Sequence, residues 1–241
     1  MIGGSLGWLA AALVVCGGAT LQGSVGIGLS LFAVPLLLLL DPVFVPGPLL
    51  AAGATLTLLM THRDRHRVDL RGIGWTTGGR LGGTLLGAAA LVTLPPHGLT
   101  LALAGLILLA VAMSVMGLRV RPTSRVLLAA GLLSGVMGTT ASIAGPPLAL
   151  AYQHEAGPRL RGTLAANLLI GALLSLVAIA AVGRFGAPEL RATAILVPGI
   201  LAGFGLSRLV AHRLDRGWLR TAVLGVATLG ALSLLVREGL R

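Results

Sequence analysis

Glycines and polar side chains interrupt two otherwise apolar stretches of the sequence. In the stretch 21–38 these residues are Gln22, Ser24, Gly26, Gly28 and Ser30. In the stretch 133–150 they are Thr139, Thr140, Ser142 and Gly145. Hydroxyl and amide groups, and backbone N–H groups freed where a helix breaks, can donate hydrogen bonds to an anion. Neither stretch contains a His, Cys, Asp or Glu that could act as a catalytic base or a metal ligand. The pattern therefore predicts an anion-binding site without covalent chemistry, and it predicts no cofactor.

The composition places these two stretches in a membrane. Hydrophobic residues make up 56% of the 241 residues and charged residues only 10%, and the mean hydropathy is +0.97. These values exclude a soluble core and predict an all-α, polytopic helical membrane protein. The net charge of +11 comes from 18 basic residues, all Arg, that lie mostly between the apolar runs. Such a distribution indicates membrane topology rather than binding to nucleic acid.

Each interrupted stretch is expected to break a helix. Glycine and proline disfavour a continuous helix, whereas Pro146 and Pro147 suit the first turn of a new one, where the missing N–H costs nothing. The second leg of each broken pair should therefore start near the middle of the membrane. A helix start offers free N–H groups and the positive end of the helix dipole, so it favours an anion.

Two further polar side chains fall within predicted membrane helices. Arg80 follows Arg71 by nine residues, which places it about 13 Å deeper along a helix. A charge at that depth either holds a substrate or bonds the carbonyl groups of a broken helix. Asn167 either contacts the substrate or forms hydrogen bonds between helices, and packing is the favoured interpretation.

The sequence contains an internal repeat. A shift of 112 residues aligns Gly23 with Gly135, Gly26 with Gly138 and Pro35 with Pro147, among other identical pairs. A shift of 120 residues aligns two stripes in which a small residue recurs at every fourth position, namely Gly79, Gly83, Gly87 and Gly199, Gly203, Ser207. Stripes of this kind allow close approach of helix backbones, so they are expected to pack against the broken elements.

The distribution of the arginines favours one membrane topology. Apolar segments fall at 5–22, 26–40, 46–61, 72–93 and 97–118, and again at 125–138, 146–153, 159–182, 191–212 and 218–236. The first two of each set are too short or too broken to span on their own, so each pair is interpreted as a broken or re-entrant hairpin that precedes three transmembrane helices. If each hairpin turns back to its own side, 13 arginines share one side of the membrane and only four lie opposite.

This arrangement makes the two halves inverted repeats. Residues 1–118 form the first repeat, 119–125 a cytoplasmic linker and 126–241 the second repeat, within one integral membrane domain. Both termini would then face outside.

The motifs resemble those of the TauE/SafE sulfite exporter family. They are Gln22-Gly-Ser-Val-Gly26-Ile-Gly28 with Pro35-Leu-Leu in the first half, and Gly135-Val-Met-Gly138 with Gly145-Pro146-Pro147 in the second. The resemblance covers nearly the whole chain. It implies a multi-pass transporter of the bacterial inner (plasma) membrane that moves sulfur-containing anions such as sulfite, sulfonates or sulfoacetate, most simply as an exporter.

Three alternatives stay open from the sequence. The substrate could be another small anion, such as a carboxylate or a phosphate-like ion. The chain could serve as a membrane scaffold, or as an intramembrane enzyme, although no nucleophile with a base is present at membrane depth. The expected partners are the substrate and the lipid bilayer, without nucleic acid, and a homodimer is left open.

Overall fold

A computed structural model describes residues 5–116, 120–155, 157–210 and 216–239. The described residues form ten α-helices and two short 3₁₀ turns. The helices of the first half are α1 (Ser5–Val25), α2 (Leu29–Leu40), α3 (Gly47–Asp64), α4 (Leu70–Thr93) and α5 (Pro96–Val115). Those of the second half are α6 (Ser124–Ala141), α7 (Gly145–Ala151), α8 (Gly157–Ala181), α9 (Ala187–Val210) and α10 (Arg216–Gly239). The all-helical prediction is confirmed.

Five of the described helices are long and apolar enough to cross a membrane: α1, α5, α6, α8 and α9. Large apolar side chains such as Leu85, Val177 and Leu229 lie exposed on the outside of the helix assembly. Because a soluble protein would bury such a surface, these side chains are suited to contact with lipid. The chain is therefore a multi-pass membrane protein.

The first broken pair is a hairpin. The backbone leaves α1 through Gly26 and Gly28, whose φ angles of 107° and 137° are ones that residues with a side chain rarely adopt. Helix α2 then turns back along α1, so that a Cβ at Gly18 would contact Leu29 and one at Gly17 would contact Phe32. The first leg is longer than the sequence indicated, because α1 continues without a break to Val25.

The second broken pair has the same plan with a shorter return leg. Helix α6 also runs further than expected, to Ala141, and ends at Ser142 in the left-handed conformation with φ 60°. Helix α7 returns for only seven residues. The expectation that the first leg of each pair is too short to span was wrong, since α1 and α6 are both of spanning length. Their glycines and hydroxyl residues are tolerated because neighbouring helices and internal hydrogen bonds satisfy the backbone.

The two stripes of small residues pack as predicted, each against the first broken helix of the other half. Gly79 and Gly83 of α4 lie against the backbone of α6, where a Cβ on either glycine would overlap a carbonyl oxygen. Gly199 and Gly203 of α9 lie against the backbone of α1 in the same way. Each pair runs parallel, because residue numbers rise together along both contacts. The two halves are thereby joined by reciprocal contacts, α4 with α6 and α9 with α1.

Helices α3 and α8 pack against each other at the centre of the assembly. They run antiparallel, since the end of α3 at Asp64 lies beside Gly162 near the start of α8. Helix α5 packs on α10, while α2 packs on α10 and α7 on α5. The central position of α3 and α8 brings their side chains to both helix breaks.

Candidate functional site

A cavity of about 50 Å³ lies between the starts of α2 and α7. A water molecule needs about 10–15 Å³ by the same kind of measure, so the cavity has room for about four water-sized groups. Both breaks reach it, because a Cβ at Gly145 would contact Ile27. Its polar lining residues are Gln22, Ser30, Thr57, Arg80 and Ser142. The remaining lining is apolar side chains from α3 and α8 and the two breaks, including Leu49, Leu50, Leu168 and Ala172.

Side chains satisfy several backbone groups that the breaks leave without helical partners. The Gln22 amide oxygen accepts a hydrogen bond from the backbone N–H of Leu29 at 3.2 Å. At the second break, the Ser134 hydroxyl donates to the Ala144 carbonyl at 2.7 Å. The Ser142 hydroxyl donates to the carbonyl of Pro46 at 2.8 Å. These bonds fix the breaks, which hydrocarbon would not otherwise tolerate, and they hold the cavity wall in one conformation.

Arg80 reaches the cavity from the middle of α4, and only 2% of its surface is exposed. Its Nη1 donates to the Asn167 carbonyl at 3.2 Å, and its buried Nε has no hydrogen-bond partner among the described residues. The guanidinium fits between two helices because Gly138 of α6 and Gly171 of α8 lack side chains. A Cβ at Gly171 would overlap it, and a Cβ at Gly138 would lie 3.2 Å from Nη2.

Asn167 links Arg80 to the inner parts of α4 and α8. Its amide oxygen accepts a hydrogen bond from the Thr76 hydroxyl, and its amide nitrogen donates to the Thr163 carbonyl at 3.0 Å. The Tyr152 ring is buried next to this group, with its hydroxyl near Thr76 and Asn167. The network holds the Asn167 carbonyl in place for Arg80 and separates the cavity from a cleft lined by Asp69 and Tyr152.

A model of a known protein family matches residues 10–234, and its description is sulfite exporter TauE/SafE. The match covers nearly the whole chain. The chain belongs to the sulfite exporter TauE/SafE family. Comparisons with curated proteins and with solved structures found no match. Membership of the TauE/SafE family makes the chain a transporter in class, and the family name points to sulfur-containing anions as the kind of substrate.

Six of the site residues expected from the sequence line the cavity of this TauE/SafE protein: Gln22, Gly28, Ser30, Arg80, Ser142 and Gly145. All of them except Arg80 lie at or beside one of the two helix breaks. Their role in binding stays a prediction. No group of three His, Cys, Asp or Glu side chains in the described part of the chain could hold a metal ion.

The structure places five other expected residues away from the cavity lining. The Ser24 hydroxyl donates to the carbonyl groups of Thr20 and Ser207. The Thr140 hydroxyl donates to Val136 within its own helix, and the Thr139 hydroxyl shares a hydrogen bond with Ser175. Gly26 lies against Arg161 instead. Asn167 forms the interhelical hydrogen bonds that the packing interpretation favoured.

Sequence reasoning missed the residues that accommodate Arg80. Gly138 appeared only as part of a motif, and Gly171 lies in an apolar run without a distinguishing neighbour. Gly53 and Thr57 of α3, which line the cavity opposite the breaks, were not singled out either. The available signal was indirect, because a buried Arg in a membrane helix requires small residues on the helices that face it.

Proposed function

We propose that this chain is a transporter of the bacterial inner (plasma) membrane that exports sulfite or a closely related sulfur-containing anion. The substrate binds in the cavity between the starts of α2 and α7. Family membership and helices of spanning length support the class of function. The cavity supports a small substrate, because it has room for about four water-sized groups.

The single observation that carries the proposal is the Arg80 guanidinium beside the cavity. It is buried and lines the cavity, and its Nε has no hydrogen-bond partner in the described part of the chain. A buried cation with an unused donor favours an oxyanion, because a charge-assisted hydrogen bond is stronger than a neutral one. The first turn of α2 adds backbone N–H groups and the positive end of its dipole. Gln22, Ser30 and Ser142 also line the cavity. We expect the Gln22 amide nitrogen and the Ser30 hydroxyl to donate to the same anion, since the Ser142 hydroxyl already donates to Pro46.

We further propose that the halves are inverted repeats, joined by a cytoplasmic linker at 119–125. The reciprocal packing of α4 on α6 and of α9 on α1 supports a pair of equivalent halves. The antiparallel run of α3 and α8, which are equivalent helices of the two halves, supports their inversion. In such proteins the substrate binds where the halves meet, and access alternates as one half moves against the other.

The test is transport by the purified protein in proteoliposomes. Uptake of ³⁵S-labelled sulfite into vesicles loaded with unlabelled sulfite is measured in competition with external unlabelled sulfite, sulfoacetate, acetate and phosphate. We expect saturable uptake in which sulfite competes best. The Arg80→Gln variant should lose about 10- to 100-fold in apparent affinity, as expected for the loss of a hydrogen bond to a charged group.

Arg125→Gln is the matched control, because Arg125 is an exposed arginine near the start of α6, far from the cavity lining. It should transport like the wild type. Uptake no faster than in protein-free vesicles would reject the transporter proposal, and preferential competition by phosphate or acetate would reassign the substrate. Equal losses in both arginine variants would refute the role of Arg80.

A further inference from the structure

The charge on Arg80 has no acidic partner in the described part of the chain. Asp64 pairs with Arg63, while Asp69 and Glu155 pair with Arg159, all near helix ends. Asp41 and Glu189, the other acidic residues whose side chains the structure describes, accept hydrogen bonds from the backbone N–H groups of Val43 and Gly186. None of these five lies within salt-bridge distance of Arg80, so none of them neutralises the buried guanidinium. The guanidinium keeps its positive charge because an arginine side chain is not deprotonated in proteins.

The neighbours of Arg80 offset only part of the energetic cost of burying this charge. One carbonyl, that of Asn167, accepts a hydrogen bond from Nη1. The surfaces beside the guanidinium are glycine backbone at 138 and 171 and the apolar cavity wall, including Leu168 and Ala172. A charge held in such surroundings is stable only when it is paired or when water reaches it. In a conformation that is closed to water, the charge of Arg80 is therefore balanced only when an anion occupies the cavity.

A transporter with alternating access passes through a state that is closed to both sides of the membrane. With a monovalent anion bound, this closed state contains a neutral pair. Without an anion, it contains an isolated buried charge, and removing one partner of a buried pair is strongly unfavourable. The empty site therefore passes from one side of the membrane to the other more slowly than the loaded site does, by about 100-fold or more.

We propose that this protein is an anion exchanger, in which the outward movement of one anion is coupled to the inward movement of another. The proposal rests on the proposed function and specifies its mode. Export of sulfite then requires an anion on the opposite side of the membrane, and the gradient of that counter-anion drives export. Because the two anions carry equal charge in the simplest cycle, exchange moves no net charge.

The experiment compares proteoliposomes loaded with unlabelled sulfite and proteoliposomes loaded with only a large zwitterionic buffer. Uptake of ³⁵S-labelled sulfite should be at least about 10-fold faster into the sulfite-loaded vesicles. Equal, protein-dependent uptake into both would overturn the exchange proposal while leaving the transporter proposal intact. Absence of uptake in both would instead reject the proposed function itself.

Two further measurements test the role of Arg80 in the exchange and whether the exchange is electrically neutral. In Arg80→Gln the buried charge is gone, so the remaining uptake should be equally fast with and without internal sulfite, whereas Arg125→Gln should keep the stimulation. If Arg80→Gln does not fold, the comparison of sulfite-loaded and buffer-loaded vesicles with the wild-type protein still tests the exchange proposal. An imposed potassium-diffusion potential should change the rate of sulfite–sulfite exchange by less than about two-fold, and a strong dependence on potential would contradict neutral exchange.

Discussion

Substitution of Gly171 by alanine should remove the anion site without changing any group that touches the anion. Gly171 lies in the middle of α8, and a Cβ there would overlap the Nε and Cζ atoms of Arg80. The guanidinium cannot move aside towards α6, because Gly138 already lies close to Nη2 on that side. We therefore expect Gly171→Ala to displace Arg80 from the cavity wall and to break its hydrogen bond to Asn167.

The expected change in the stability of Gly171→Ala is the sum of one favourable and two unfavourable effects. Alanine favours a helix by about 1 kcal/mol relative to glycine. Overpacking costs roughly 1–3 kcal/mol, and the lost hydrogen bond from a charged group costs about 1.5–3 kcal/mol. The net expectation is a loss of about 1.5–5 kcal/mol in the free energy of unfolding. Loss of the Arg80 contact to the anion should lower sulfite affinity by about 10- to 100-fold.

The assay is thermal unfolding in detergent with increasing sulfite, which gives stability and affinity together. Gly205→Ala is the control, because nothing lies within 4 Å of a Cβ at that position in α9. It should leave sulfite affinity unchanged and raise the free energy of unfolding by at most about 1 kcal/mol. The stability cost of Gly171→Ala should disappear when Arg80 is also replaced by alanine, because the overlapping group is then absent. Wild-type sulfite affinity in folded Gly171→Ala, or additive stability costs in the double variant, would refute the reasoning.

The other predictions concern packing and topology. Gly83→Ala should lower the yield of folded protein strongly, measured by size-exclusion chromatography, because its Cβ would overlap the Leu132 carbonyl of α6. Gly82→Ala is the control on the same helix, since its Cβ would meet only the flexible end of the Leu132 side chain at 3.3 Å, and similar losses in both would contradict the packing argument. A reporter fused after Arg241 should be periplasmic and one inserted near Arg121 cytoplasmic, and finding both on the same side would exclude inverted halves.

Most helix boundaries could be predicted from the sequence, because apolar runs alternate with arginine- and proline-containing loops. The runs at 159–182 and 72–93 lie within two residues of α8 and α4 at both ends. The largest difference is at α9, which begins four residues before the expected position at 191. At the second helix break, α6 continues three residues past the expected position at 138. Gly138, Thr139 and Thr140 do not end this helix, because α4 packs on it and the Thr140 hydroxyl bonds within it.

The direction of a small hydroxyl side chain could not be predicted in the same way. Ser142 lines the cavity, whereas the hydroxyl of Thr140, two residues earlier, bonds to its own helix. Both are small hydroxyl residues in the same interrupted apolar stretch. They differ only in position relative to the break, because Thr140 lies inside α6 and Ser142 lies at its end. The depth of Arg80 could be predicted, because rise per residue fixes it. The glycines that receive it could not, because they lie on helices far away in the sequence.

The placement of Arg80 makes the site a property of the two halves together. Helix α4 of the first half supplies the charge, while α6 and α8 of the second half supply Gly138 and Gly171, which make space for it. The cavity beside the charge is closed by the α2 break on one side and by the α7 break on the other. Neither half could bury this arginine alone, because each would expose the guanidinium to hydrocarbon. The packing of the two halves against each other therefore buries the positive charge beside the cavity in which we propose that the anion binds.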